Sequence, residues 1–115
     1  MSIYDSAHEL ARVIRESDEA REAVRLREIA EADDTNRALL AEYRRLQVAL
    51  QVQAMGGTQA EPDDMQRFSQ ISSLLYMNND VQAYLLAEMR LQRVMADVFK
   101  IISEASGMSM ELPGV

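Results

Sequence analysis

Few residues of this chain could do chemistry at a metal. His8 is the only histidine, and Asp5 stands three residues before it. On a helix this spacing places both side chains on one face, as metal ligands require. A single pair supplies too few ligands for a closed site, and the Glu-x-x-His motifs that a di-iron bundle needs are absent. We therefore interpret His8 as an ordinary histidine near the N-terminus and predict no metal site.

Nucleophilic and phosphate-binding sites also lack support in the sequence. The chain has no cysteine, which excludes disulfides, thiolate zinc sites and cysteine nucleophiles. Serines are present, but no Gly-x-Ser-x-Gly segment accompanies the single histidine. We interpret Gly56-Gly57 as a helix end and not as a phosphate loop. The sequence thus predicts no catalytic residue, no cofactor and no enzyme.

Glu88 is the one charged residue that lies inside the apolar arc of a predicted helix. Its neighbour one turn later is Gln92, which is not a base. A buried carboxylate must find a hydrogen-bond donor or become protonated. Arg44, Arg45 or Arg37, or an arginine of a partner chain, can supply that donor. We predict a structural ion pair, with Arg44 and Arg45 as its named candidates. A catalytic carboxylate would require a second acid and a cleft.

The elements that must position these residues are all predicted to be helices. Capping residues and proline mark the helix starts, at Ser2, Ser17, Asp33, Pro62 and Asn78. The third and fifth helices, over 34–55 and 80–105, would be roughly 33 and 39 Å long, which suits an antiparallel pair. The second helix has only a weak apolar stripe and is expected on the surface of the bundle. The predicted fold is all-α, a long antiparallel helical hairpin with shorter packed helices.

The domain boundaries follow from the end of the last helix. Residues 1–107 are predicted to form a single helical domain, which Gly107 closes. Residues 108–115 have no hydrophobic period and are expected to form a flexible tail.

Apolar residues cover more helix surface than one short chain can bury. On the third helix Leu39, Tyr43, Leu46 and Leu50 form a coiled-coil-like seam, and other apolar residues lie on the opposite side. The last helix has a broad apolar arc, made of Leu91, Val94, Met95, Val98, Ile101, Ile102 and Ala105. We predict that homo-oligomerisation, as a homodimer or a higher assembly, completes the bundle. The expected interface residues are Ala41, Val48, Val52, Met55 and Met89.

The charge and hydropathy of the chain argue against nucleic acid and membranes as partners. The net charge of −7 opposes a nucleic-acid surface, because phosphate binding needs a basic field. The N-terminal residues have neither the basic nor the apolar region of a signal peptide, and no window reaches the length of a membrane span. The sequence predicts a cytoplasmic protein that binds neither nucleic acid nor membranes directly.

Several segments resemble one family of small helical bacterial proteins. They are Ser2-Ile3-Tyr4-Asp5, Ala7-His8-Glu9-Leu10-Ala11, Tyr43-Arg44-Arg45-Leu46-Gln47, Met55-Gly56-Gly57, Tyr84-Leu85, Ala87-Glu88, Arg90-Leu91 and residues 95–105. Together they resemble the YlbF/YmcA family, and its YheA-like branch most closely. The resemblance covers about residues 2–106, and its motifs are packing patterns.

The resemblance implies an all-helical, self-associating, cytoplasmic bacterial regulator. Some family members are linked to competence, sporulation and biofilm control, in a complex that modulates mRNA processing by ribonuclease Y. Those members can carry cysteines that ligate an iron–sulfur cluster, and this cysteine-free chain cannot bind one in that way. We expect a non-enzymatic regulator or adaptor with an unidentified protein partner. The alternatives are a purely structural self-assembling module and a metal- or ligand-binding helical protein.

Overall fold

Five α-helices make up the part of the chain that the structure describes. The structure is a computed structural model, and it describes residues 2–57 and 61–107. The helices are α1 (Ile3–Arg15), α2 (Asp18–Glu31), α3 (Asp34–Met55), α4 (Pro62–Tyr76) and α5 (Asn79–Ser106). No strand occurs in these two ranges. The predicted all-α class is confirmed, whereas the predicted tail over 108–115 lies outside the described residues.

Side-chain caps set the start of four helices. The first backbone N–H groups of a helix have no partner within it, so a preceding side chain satisfies one of them. The Ser2 hydroxyl accepts a hydrogen bond from the Asp5 backbone at 3.1 Å, and the Asp5 carboxylate accepts one from the Ser2 backbone. Ser17, Asp33 and Asn78 cap α2, α3 and α5 through one bond each. These local signals explain why the predicted boundaries lie close to the observed ones.

The pairing of the helices differs from the expected hairpin. Helix α5 packs mainly against α2, and α3 packs mainly against α4. Helices α3 and α5 do not form a major pair. Helix α2, which was expected on the surface, buries Ala23 and Ala30. Small side chains give only a weak hydrophobic stripe, yet they allow two helix backbones to approach closely. Matched length was therefore the wrong criterion for choosing the partner of α5, and a weak stripe was the wrong reason to place α2 on the surface.

The core lies where α2, α3, α4 and α5 meet. Its large, fully buried side chains are Leu40, Leu46, Ile71, Leu75 and Val81. Beside it the ring of Tyr43 stacks on that of Phe68, with ring centroids 5.0 Å apart. Helix α1 contributes no buried residue. The packed part of the protomer is therefore built by the other four helices.

The protomer is thin and leaves much apolar surface open. Its extents are 49 × 37 × 16 Å and its radius of gyration is 17.0 Å, whereas a compact chain of this length has about 13 Å. In α5 the buried residues lie between Val81 and Ala87, and Ser103 alone is buried beyond them. Within the chain, the apolar arc over 91–105 is therefore half-buried at Leu91, Val94 and Val98 and exposed at its other positions.

Candidate functional site

A polar cluster joins α3 to α5 at the edge of the core. Arg44 on α3 donates two hydrogen bonds to Glu88 on α5, from Nη1 to Oε1 at 3.2 Å and from Nη2 to Oε2 at 2.7 Å. The hydroxyl of Tyr84 donates to Glu88 Oε2 at 2.6 Å and accepts a bond from Arg44. The Arg44 guanidinium also lies 5.6 Å from the centre of the Tyr84 ring. This bidentate geometry is the strong form of an arginine–carboxylate pair.

The electrostatics of this cluster favour the ionised form of Glu88. Burial opposes ionisation, but the hydrogen bonds from Arg44 and Tyr84 outweigh it, so the pKa of Glu88 lies below its ordinary value. Burial, together with the hydrogen bond to Glu88, raises the pKa of Tyr84 to about 12. The hydrogen bond to Glu88 raises the pKa of Arg44. The side chains of Glu88 and Arg44 remain 23% and 37% exposed. The cluster is therefore a half-buried ion pair and not a reactive acid.

The structure brings Glu88 together with one of the two predicted arginines. Arg45 lies on the neighbouring position of α3, is exposed and pairs with Glu42 at 2.7 Å. Arg37 pairs with Asp34 near the start of α3. Placing Arg45 among the buried charges is thus corrected. Successive helical residues point about 100° apart, so only one of two adjacent arginines can face Glu88.

Tyr84 is a member of the cluster that sequence reasoning missed. It lies one helical turn before Glu88, where side chains four residues apart are neighbours. That spacing was readable in the sequence. A tyrosine combines an apolar ring with a polar hydroxyl, so it suits the border between core and ion pair. The ring is buried with only 2% of the residue exposed.

The predicted interface residues are all exposed. Val48, Val52 and Met55 follow one another along one side of α3 and are 58%, 61% and 67% exposed; we call them the α3 surface. Ala41 on α3 and Met89 on α5 are exposed as well. Residues 46–57 contain no charged side chain. The α3 surface is therefore apolar, uncharged and accessible.

The remaining candidates for chemistry offer no assembled site. His8 is exposed, and the carboxylate of Asp5 is occupied in the cap of α1. Within residues 2–57 and 61–107, no three His, Cys, Asp or Glu side chains come together as metal ligands would. A groove of about 250 Å³ between α2 and α5 is lined by Asp18, Glu19, Glu22, Ala87 and Arg90. It combines three carboxylates with one arginine and contains no nucleophile.

Among the helices of residues 2–57 and 61–107, none has both the length and the apolar character that a membrane-spanning helix needs.

Comparison with known proteins identifies the relatives of the chain. The family model described as control of competence regulator ComK, YlbF/YmcA, matches residues 3–105. A UPF0342 protein of Desulfitobacterium hafniense is 34% identical over 105 residues, which cover 91% of this chain and 85% of that protein. A UPF0342 protein of Caldicellulosiruptor saccharolyticus is 29% identical over 114 residues, with 99% and 95% covered.

A solved structure supports the same assignment at the level of the fold. It is the protein of unknown function (DUF964) from Bacillus stearothermophilus, with a TM-score of 0.75 and 22% identity, covering 91% of this chain and 92% of that one. At this identity the likeness concerns the fold alone. The match of the family model over nearly the whole chain carries the conclusion: the chain belongs to the YlbF/YmcA family, a family of regulators.

Proposed function

We propose that this protein is a non-enzymatic, cytoplasmic regulator or adaptor that acts through helix-mediated contacts with itself and with a protein partner. The process it serves is bacterial developmental or mRNA-processing control, in line with the family. The observation that carries the proposal is the α3 surface, Val48, Val52 and Met55, which is exposed along one helix side in an uncharged segment.

The polar cluster supports a binding role over an enzymatic one. A general acid or base needs a pKa close to the working pH and access to a substrate. Glu88 has a lowered pKa and is already bound by Arg44 and Tyr84. A carboxylate in this state stabilises a helix contact. A lowered pKa and two bound partners do not suit it to proton transfer at neutral pH.

The α3 surface has the composition of a contact between helices. Fully burying one valine or methionine side chain contributes about 1.5–3 kcal/mol relative to leaving it exposed. Three such residues at this spacing form a continuous stripe that fits a groove of another helix pair. Methionine adapts its shape to different neighbours, which suits Met55 at the end of the stripe. We propose that a second copy covers this surface, with Ala41 and Met89 at its margin.

The test replaces the apolar stripe with charge. In the variant Val48→Glu with Val52→Glu, we expect a lower mass by light scattering at about 50 µM, where modest interfaces persist. The protomer should stay folded because both side chains are exposed. The matched control is Gln47→Glu with Ala54→Glu, which adds the same charge at exposed positions beside the stripe.

The same variants test the role as an adaptor. Proteins that co-purify with the tagged chain from its native cell should be lost with the double valine variant and retained with the control. An unmodified chain that is monomeric at this concentration would rule out self-association. An identical set of captured proteins for both variants would rule out the α3 surface as the docking site.

A further inference from the structure

The helices that build the core form two pairs. Helix α2 packs mainly against α5, and α3 packs mainly against α4. The chain passes from one pair to the other twice, through short turns at residues 32–33 and 77–78. Both turns lie beside the core, since Ala30, Leu75 and Val81 belong to it. We call this region, where the four helices meet, the junction.

Outside the junction each pair has little buried interior. Residues 47–57 contain no buried side chain, and residues 88–107 contain one, Ser103. Helices α3 and α5 do not form a major pair there. The orientation of one pair relative to the other is therefore decided at the junction.

Apolar contacts hold the two pairs together but leave some freedom in the angle between them. Hydrophobic burial is non-directional and depends on the area removed from water. Interdigitating side chains favour certain crossing angles between helices only to within about 15–20°. A directional contact is needed to select one angle from this range.

The polar cluster supplies a directional contact. Between the residues that the structure describes, it makes the hydrogen bonds and the ion pair that cross from one helix pair to the other. Arg44 belongs to the α3–α4 pair, whereas Tyr84 and Glu88 belong to the α2–α5 pair. A planar guanidinium that binds a planar carboxylate through two bonds constrains direction as well as distance. The cluster therefore restricts a rotation that the apolar contacts permit.

Helix α2 adds a second ion pair near the polar cluster. Arg27 Nε lies 3.2 Å from an oxygen of Glu31. Beyond burial, which raises the pKa of Glu88, and the hydrogen bonds that lower it, the charge of Arg27 lowers it further. Besides the hydrogen bond to Glu88, the charge of Glu31 raises the pKa of Arg44. Opposite charges from three helices thus support one another at the junction.

We propose that the polar cluster fixes the angle between the two helix pairs, in addition to stabilising their contact. The angle sets the direction of the α3 surface relative to α5, because that surface begins one turn after Arg44 and α3 extends roughly 16 Å beyond this residue. An adaptor whose surfaces keep a constant orientation loses less conformational freedom when it binds. The proposal concerns the shape of one chain, so it goes beyond the proposed function and does not depend on it.

Distances between spin labels measure this angle, and labelling is specific because the chain has no cysteine. The cross-pair labels are placed on Gln66→Cys in α4 and Asp97→Cys in α5, at exposed positions. The within-pair labels are placed on Glu28→Cys in α2 and Asp97→Cys, so both lie in the α2–α5 pair. Labelled chains are refolded with a large excess of otherwise identical unlabelled chains. Double electron–electron resonance then reports distances within one chain.

Breaking the polar cluster should change the cross-pair distances alone. A rotation of about 20° moves a label that stands roughly 15 Å from the junction by about 5 Å. In Glu88→Ala we expect the cross-pair distribution to shift or broaden by about this amount, while the within-pair distribution stays unchanged. The matched control is Glu42→Ala, which removes a carboxylate of similar exposure, 29% against 23%. Its partners Arg45 and Arg67 lie in the same helix pair, so both distributions should stay as they are.

A second variant separates the direction of the contact from its charge. Arg44→Lys keeps the positive charge but loses the bidentate geometry, so it should also broaden the cross-pair distribution. A distribution as narrow as that of the unmodified chain, in either Glu88→Ala or Arg44→Lys, would overturn the proposal. Equal broadening of the cross-pair and within-pair distributions would overturn it as well, because the loss of order would then concern the whole fold.

Discussion

At the scale of single residues, the contact between Arg44 and Glu88 shows how a charge is kept at the edge of a core. Both oxygens of the carboxylate accept hydrogen bonds, two from Arg44 and one from Tyr84. Removing Glu88 leaves the Arg44 guanidinium partly desolvated and without its counter-ion. The free energy at stake is smaller than for a fully buried pair, because the Arg44 side chain is 37% exposed.

Truncating Glu88 should therefore destabilise the protein measurably. We expect Glu88→Ala to lower the free energy of unfolding by about 1–3 kcal/mol, between the values typical of exposed and buried pairs. Glu88→Gln should cost less, because it keeps the shape and a hydrogen-bond acceptor. Glu104→Ala at an exposed position of α5 is the control and should change stability by no more than about 0.5 kcal/mol. Urea denaturation at fixed protein concentration measures all three. Equal effects at the two positions would show that Glu88 makes no net contribution.

The lowered pKa of Glu88 predicts a dependence of stability on pH. The folded state holds this carboxylate ionised to a lower pH than the unfolded state does, where its pKa is about 4.3. Its contribution is therefore present above that pH and is lost as the pH falls through the lower, folded value. Between pH 7 and about pH 3.5, Glu88→Gln should lose less stability than the unmodified chain. The exposed carboxylates are common to both proteins, so the difference isolates Glu88. Parallel losses would contradict the shift.

Glu88, Arg44 and Arg45 show which part of this site the sequence predicts and which part it does not. An acid inside an apolar arc is visible without coordinates, and so Glu88 was expected to need an arginine. The choice between Arg44 and Arg45 was not visible, because it depends on how α3 is rotated and where it crosses α5. The rotation of α3 and its crossing point with α5 are set by the packing of the whole core. A helical wheel describes one helix and gives no information about that packing.

At the scale of the helices, local chemistry predicts where elements begin but not what they contact. Ser2, Ser17 and Asn78 cap their own helices, and such bonds span three residues. The pairing of α2 with α5 depends instead on the shape of two surfaces. Ala30 is fully buried in this contact region, with 0% exposed. Small residues read as weakly hydrophobic in the sequence, although in the fold they determine how closely helices approach.

Enlarging Ala30 should consequently disturb the packing of α2. In Ala30→Leu the added atoms have no space, and overpacking a buried site typically costs about 1–3 kcal/mol. Ala38→Leu makes the same change at an exposed position of α3, where we expect a difference of no more than about 0.5 kcal/mol. Thermal or urea unfolding of the two variants compares them. If Ala30→Leu is as stable as the control, α2 packs more loosely than its burial indicates.

At the scale of the whole molecule, a thickness of 16 Å leaves little interior for 115 residues. The sequence predicted more apolar helix surface than a single chain could cover, and the structure shows where the excess lies. Val48 and Val52 expose it on α3, and Ile101 and Ile102 expose it near the end of α5.

The overall charge of the molecule opposes binding to nucleic acid. The net charge is −7, and in the described residues most arginines are already paired with carboxylates. These arginines are Arg12, Arg25, Arg27, Arg37, Arg44, Arg45 and Arg67. The signs of Arg90, Arg93, Asp97 and Lys100 interleave along α5, so no continuous basic stripe is available to phosphates.

We therefore expect the isolated protein not to bind RNA tightly. Binding through phosphates weakens steeply as salt rises, because it releases counterions. Fluorescence anisotropy of a labelled single-stranded RNA and of a labelled duplex should show no saturable binding at about 150 mM salt and protein concentrations of about 10 µM, where non-specific basic binders are already detected. The matched variant is Asp97→Lys, which joins Arg93 and Lys100 into one basic stripe on the polar side of α5. Salt-sensitive binding by this variant alone would show that the interleaved acids prevent it. The same binding by the unmodified chain would mean that the local geometry of its arginines outweighs the acidic field of the whole molecule.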